Sequence, residues 1–294
     1  MTAIHTALRS YAPDPVPIGS QAHKALFCRM LLDTHDPYKP AVIDWPKLDD
    51  DARNRLVALP IWDIAVATEG KARLRVKTYG DTVADPLLRE AIALNAFEEG
   101  RHKEVLSNLV MAYGIDLPPE PVYVKPRNAE WAFMVTGYSE CIDSFFAFGL
   151  FEIAKRSGFF PPDLVDTFEP VMQEEARHIL FFVNWAAWHR RTMPPWRRPL
   201  FLAKTLAVWA FLIWERIGLA RKVGGGTAPD NNFTVTGSKS IGIDIDGAAL
   251  MDVCLAENDR RLGRYDARLM RPEVVPRLVR LARRFMGRGV SSVP

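Results

Sequence analysis

The chain has 294 residues, of which 48% are hydrophobic and 25% charged, and its formal net charge is +3. These figures describe an ordinary globular protein with enough chain for a large apolar core, and the slight positive charge argues against a nucleic-acid partner. Cys28, Cys141 and Cys254 lie far apart with no paired spacing, which argues against a disulfide framework, a zinc ribbon or a rubredoxin-type centre and favours a reducing cytoplasm.

Residues 1–47 are rich in proline and turn formers and read as an arm on the body, with one helix near Ser20 to Leu32. No basic stretch followed by an apolar run opens the chain, so no secretory signal is expected. Helical patterning begins at about Leu48. The first bundle helix is predicted over Asp50 to Tyr79, with a break or bend at Pro60, and the second over Asp85 to Tyr113, stopping at Gly114. Between Gly114 and Asn128, Pro118, Pro119, Pro121 and Pro126 forbid a helix and suit an extended crossover. Fifteen residues at roughly 3.3 Å each can run the length of a thirty-residue helix, about 45 Å. The third helix is predicted over Ala129 to Ser157, ended by Gly158, and the fourth from Pro162 to about Arg191. Two hairpins joined by one long crossover make an all-α, ferritin-like four-helix bundle over residues 48–192.

Residues 193–294 form a helical extension. It holds a basic joint from Met193 to Pro199, a hydrophobic helix to about Val223, and a Gly/Ser/Asn-rich excursion from Gly224 to Gly247. A helix from Ala248 to Met270 and a basic amphipathic one after Pro272 complete it. The fragment Thr236 to Ser240 lacks the glycine spacing and preceding strand of a phosphate loop and reads as a mobile loop. Thr205 to Trp214, the longest uncharged stretch of the hydrophobic helix, is too short to span a bilayer. Packing on the bundle or on a second subunit is its expected use, so a homodimer is expected, with contact at a membrane surface as the variant.

One short phrase occurs twice: Glu98-Glu99-Gly100-Arg101-His102 and Glu174-Glu175-Ala176-Arg177-His178. Positions three apart share a helix face, so each Glu-x-x-His offers a carboxylate and an imidazole to one point, half of a dinuclear metal site. Each hairpin should add one glutamate from its first helix. Glu69 sits on an inward stripe with Ile61, Ile64, Ala65, Thr68, Ala72 and Val76. On the third helix, depth decides among three candidates. Glu175 lies roughly 20 Å from the turn at Gly158 to Pro162, Glu140 about 26 Å, Glu152 about 8 Å and Glu130 about 40 Å, so Glu140 is the match. The flanking pairs Glu98 with Arg101, and Glu174 with Arg177, read as surface i,i+3 pairs, and His5, His23, His35 and His189 read as surface residues.

With Glu69, Glu99, His102, Glu140, Glu175 and His178 on four consecutive helices, residues 48–191 resemble the ferritin-like di-iron carboxylate proteins. The doubled wording is most similar to that of acyl-carrier-protein desaturases and related oxygen-activating enzymes. The resemblance implies two iron ions, with manganese the alternative, held by those six residues in a catalytic centre that activates dioxygen. It implies an oxidoreductase that hydroxylates, desaturates or otherwise oxidises a hydrophobic small molecule or acyl substrate. No flavin or nicotinamide fingerprint occurs, so electrons are expected from an external donor protein. A manganese catalase, a ferritin-type store and a membrane-associated quinol oxidase are the competing assignments.

Each ligand histidine needs a partner for its second ring nitrogen, for which Asp143 is the candidate, one turn beyond Glu140. Ser144 stands where several related oxygen-activating enzymes carry a hydroxyl for proton delivery. Cys141 points about 100° away from Glu140 and reads as a buried structural thiol. Phe133, Phe148, Phe151, Phe168, Met172, Ile179 and Phe182 lie on or beside the ligand faces and are candidates for an apolar lining. At the C-terminal end, arginines interleave with Leu278, Leu281 and Phe285, a pattern that suits an acidic carrier protein or an anionic membrane surface.

Overall fold

Capping chemistry sets the helix boundaries in the computed structural model, which describes residues 15–223 and 247–286. The excursion containing Thr236 to Ser240 lies outside the described residues, as does His5. Among the described residues the regular structure is entirely helical. Helix α1 (Gln21–Asp33) starts on the Ser20 side chain, which accepts a hydrogen bond from the His23 amide. Helix α2 (Asp50–Val57) is capped by Asp49. The predicted first bundle helix is two helices: Pro60 supplies no amide hydrogen, and the chain restarts as α3 (Trp62–Gly80). Helix α4 (Pro86–Tyr113) is capped by Asp85 and ends at Gly114, whose φ of 66° is the left-handed conformation that closes helices.

Helix α5 (Ala129–Arg156) starts on the Asn128 cap. The predicted fourth helix is also divided, into α6 (Pro162–Asp166) and α7 (Glu169–Thr192). Pro170 accounts for the division: its ring would clash with the carbonyl of Asp166 in a continuous helix. Helix α8 (Arg198–Val223) follows, then α9 (Gly247–Leu262) and α10 (Val274–Phe285). The helix expected to reach Met270 stops at Leu262 because the segment beyond it has other partners. Asn184 bonds both backbone groups of Met270, at 2.9 and 3.0 Å. Arg271 bonds the carbonyls of Tyr265 and Leu269.

Two aromatic clusters fix the direction of each bundle helix. Tyr79, at the end of α3, stacks on Phe133, near the start of α5, with ring centroids 4.5 Å apart. Trp185, near the end of α7, meets both rings at 5.3 and 4.7 Å. At the other end Trp45 joins Tyr113 of α4 at 6.2 Å and Phe168, just before α7, at 6.0 Å, while Phe151 of α5 meets Phe168 at 5.8 Å. Helix α5 therefore starts at the end of the bundle opposite to where α4 finishes, and residues 114–128 carry the chain back. Halfway along, Tyr123 lies on Gly70 of α3, where a Cβ would overlap its ring, and Lys103 of α4 pairs with Glu120.

Helix α1 packs against α4 and α7, and α9 against α5 and α7. Gly137 lets α5 approach α7 so closely that a Cβ there would overlap the Phe182 ring. Helix α8 leans on α5 and α7 but leaves Leu200, Leu206 and Trp214 exposed, and α10 likewise exposes Leu278, Leu281 and Phe285. Among the described residues no helix is long and apolar enough to cross a membrane.

Two of the histidines expected at the surface tie helices together here. His23 is buried and bonded to Asn184 at 3.0 Å. His189 is half-buried, stacks on Trp185 and bonds Glu130 at 2.8 Å. Glu130 also pairs with Lys204, so the start of α5 is fastened to α7 and α8. The His189 hydrogen bond, opposed by burial and aided by Lys204, lowers the Glu130 carboxyl to about 2. A carboxyl depressed in the fold stabilises it above the ordinary value of about 4.3, and that contribution fades as pH falls from about 5 toward 2. Replacing Glu130 with Gln should cost on the order of 1 kcal/mol at pH 7, a figure reduced for partial exposure. Urea denaturation should show the difference at pH 7 and its disappearance near pH 2.

Candidate metal centre

Glu99 and His102 lie one turn apart on α4, and Glu175 and His178 occupy the same relation on α7. All four are buried, and one possible ligand atom from each falls within 4.8 Å of the others. His102 Nδ1 is 3.2 Å from Glu175 Oε1 and 3.7 Å from Glu69 Oε2; His178 Nδ1 is 3.0 Å from Glu99 Oε1. The two imidazole centroids are 5.5 Å apart. Glu69 of α3 and Glu140 of α5 line one cavity together with Glu99, His102 and Glu175. Of the other glutamates considered on α5, Glu130 is held by His189 and Lys204, and Glu152 bonds Arg156 at 2.6 Å.

Orientation of the imidazoles comes from a pair of residues in the doubled phrase that the sequence reading placed at the surface. Glu98, Arg101, Glu174 and Arg177 are buried, with side-chain exposures of 0, 3, 2 and 2%. They bond across the hairpins. His102 Nε2 lies 2.8 Å from Glu174 Oε2, and His178 Nε2 lies 2.8 Å from Glu98 Oε2. An ionised carboxylate only accepts, so each Nε2 carries the proton and each Nδ1 faces the cluster. Arg101 pairs with Glu174, and Arg177 donates to Glu98 at 2.5 Å. Asp143, the predicted partner of a ligand histidine, instead accepts from Arg216 at 2.7 Å and from Ser139 at 2.8 Å, within the same cavity.

The arm closes this face. Arg101 donates to the carbonyls of Asp36 and Tyr38 at 2.7 and 3.1 Å, with its guanidinium 4.0 Å from the Tyr38 ring centroid. Arg177 donates to the Leu31 carbonyl at 2.9 Å. His35, another histidine expected at the surface, is half-buried and bonds Glu98 at 2.6 Å. His35, Glu98 and Glu174 also form a second grouping that could hold an ion, but the two arginines already satisfy its carboxylates.

Electrostatics divide the two layers. Burial alone would raise the Glu98 carboxyl, but the bond from His178 and the charge of Arg177 outweigh it and hold Glu98 well below the usual carboxylate range. At the cluster, burial and the neighbouring Glu175 and Glu69 carboxylates push Glu99 well above that range. Burial and Glu99 do the same to Glu140. Such a group of carboxylates favours whatever supplies positive charge, protons or cations. His102 Nδ1, His178 Nδ1, Glu99 Oε1 and Glu140 Oε1 are buried without a hydrogen-bond partner, as ligand atoms for a metal ion would be. Ser144 donates to Glu175 Oε2 at 3.0 Å and fixes that carboxylate. Cys141 is buried, and burial raises its thiol.

The cavity on the open side of the cluster has a volume of about 330 Å³. Phe151, Phe168 and Met172 line it, as anticipated, whereas Phe133, Phe148, Ile179 and Phe182 are packed into the core and do not. Comparison with protein-family models, with curated proteins and with solved structures finds no match to this chain.

Two substitutions separate the layers, and a third serves as the control. Glu174→Gln keeps the side chain's size but removes the charge facing Arg101 and His102, so metal affinity should fall about 10–100-fold. Glu140→Ala should remove metal from the site, while Glu152→Ala should leave metal content unchanged. Chelator competition and metal analysis of the purified proteins measure both effects.

Proposed function

We propose that the protein is a di-iron oxidoreductase that uses dioxygen to oxidise a hydrophobic organic molecule. The observation that carries this reading is the set of buried, partnerless donor atoms at the wall of a largely apolar cavity. Glu69, Glu99, His102, Glu140, Glu175 and His178 would hold the ions, and four carboxylates with two imidazoles suit iron or manganese better than softer metals. A bound iron pair would supply the redox chemistry that reduces dioxygen and oxidises the substrate, with electrons from an external donor protein.

The chain's own groups do the rest. Glu98 and Glu174 keep each imidazole in the tautomer that presents Nδ1 inward. Ser144, 3.0 Å from Glu175, places a hydroxyl proton at the boundary between cluster and cavity. Leu150, Phe151, Leu164 and Phe168 exclude water from the space where an oily substrate would lie. The apolar lining favours an organic substrate over hydrogen peroxide, which needs no such walls.

Protein prepared without oxygen and reconstituted should hold about two iron ions per chain, because six side chains of this kind saturate a pair. Oxygen exposure with a reductant and lipid, acyl or aromatic substrates should then give oxidised product. Glu99→Ala and His178→Ala should abolish product while circular dichroism stays helical. One zinc per chain, no metal after reconstitution, or peroxide disproportionation without reductant as the sole activity would overturn the reading.

A further inference from the structure

The cavity is not uniform along its length. On α3, Ile61, Trp62 and Ala65 line one end, Glu69 the middle and Arg75 the other end. Six residues separate Glu69 from Arg75, about 9 Å along the helix axis. Helix α5 runs antiparallel to α3 and repeats the gradient, with Leu150 and Phe151 at the apolar end and Ser139 at the polar one. Arg216, from α8, lies at that polar end.

Arg75 is half-buried, and no hydrogen bond or ion pair to a described residue satisfies its guanidinium. Burial works against its charge, and the carboxylate that favours it, Glu215, is exposed. Arg216 is held in place by Asp143 at 2.7 Å and Ser139 at 3.0 Å, and its Nε is buried without a partner. Lys71 lines the same region. Lys71, Arg75 and Arg216 thus share this end with Asp143 and Glu215, and among the described residues the half-buried Arg75 has no hydrogen-bond partner. A desolvated guanidinium without a partner is costly unless an anion completes it, and a carboxylate matches its fork of donors.

We propose that the cavity binds a free carboxylic acid with an apolar body, its carboxylate on Arg75 beside Arg216, its hydrocarbon running past the cluster toward Phe151 and Trp62. This rests on the reading above that the cavity is the site of substrate oxidation, and it names the substrate class. Two divalent ions would balance the four ligand carboxylates, so the loaded cluster would not repel an acid. On α3 the Arg75 anchor lies about 9 Å from Glu69, which places the reacting carbon in the hydrocarbon body and not beside the acid group.

Isothermal titration calorimetry with decanoate, methyl decanoate and 1-decanol tests the proposal on the full-length, iron-reconstituted protein kept free of oxygen. Decanoate should bind about tenfold or more tightly than its methyl ester, as a charge-assisted pair predicts. Arg75→Gln should erase that preference and leave the ester's affinity within about threefold, and Arg75→Lys should restore part of it. Equal affinities for the three probes in the unaltered protein, or a decanoate preference that survives Arg75→Gln, would overturn it. The probe series on the unaltered protein decides the matter even where a variant fails to fold. Iron analysis of the same samples separates the two readings: two irons without a carboxylate preference sinks the clamp alone, whereas an Arg75-dependent preference without iron supports the clamp and sinks the oxidase.

Discussion

Everything at the centre of this molecule depends on an exchange of charges between its two hairpins. Glu98 of α4 receives Arg177 and His178 of α7, and Glu174 of α7 receives Arg101 and His102 of α4. Buried ion pairs add little stability compared with apolar packing, yet breaking one leaves a stranded charge at a cost of about 3–5 kcal/mol. The exchange therefore acts as a register lock. Sliding α4 against α7 by one turn would strand two arginines and two glutamates at once, so the imidazoles meet in one arrangement only. The aromatic clusters at the two ends hold the helices together; the charges decide how they align.

The lock explains why the bundle carries an arm. The carboxylates do not exhaust the two guanidiniums, and the surplus donors of Arg101 and Arg177 need acceptors in a region that the four bundle helices cannot supply. Carbonyls of Leu31, Asp36 and Tyr38 provide them. Asp85 is part of the same design: it caps α4 and pairs with Lys24 of α1, so the helix that begins the motif also anchors the arm. Asn184 does the equivalent for the C-terminal extension by bonding His23 and Met270 together.

Much of this was readable from the chain because prolines, caps and the doubled phrase are local signals. Asp85, Asn128 and Gly114 act where capping rules put them, and the proline-rich stretch carries the chain from one end of the bundle to the other. Depth counting on α5 separated Glu140 from Glu130 and Glu152, and those two are engaged by His189, Lys204 and Arg156 instead. Pro170 was a visible signal passed over, since a proline inside a predicted helix implies the break that separates α6 from α7. The partners of the imidazoles were misread for a different reason. A Glu and an Arg three apart look like a solvated pair on any single helix, and only the recurrence of both in the second copy points to a buried role. Asp143 is a candidate from sequence because it lies one turn beyond Glu140, but the actual partners come from the opposite hairpin, a long-range contact that spacing along one helix cannot show.

The two sides of the cluster are consequently unlike, and the difference bears on reactivity. On one side lie arginines, carboxylates and an arm, whose hydrogen bonds hold each imidazole from behind. On the other lies the cavity, onto which Glu69, Glu99, Glu140 and Glu175 open together with Ser144. A rigid polar wall behind and an apolar lumen in front allow chemistry in one direction only. Carboxylates on the open side would keep room to change how they hold a bound metal ion, while the histidines are fixed from behind by Glu98 and Glu174. Function on this reading is a matter of sidedness: the residues that never meet a substrate determine which groups can move toward it.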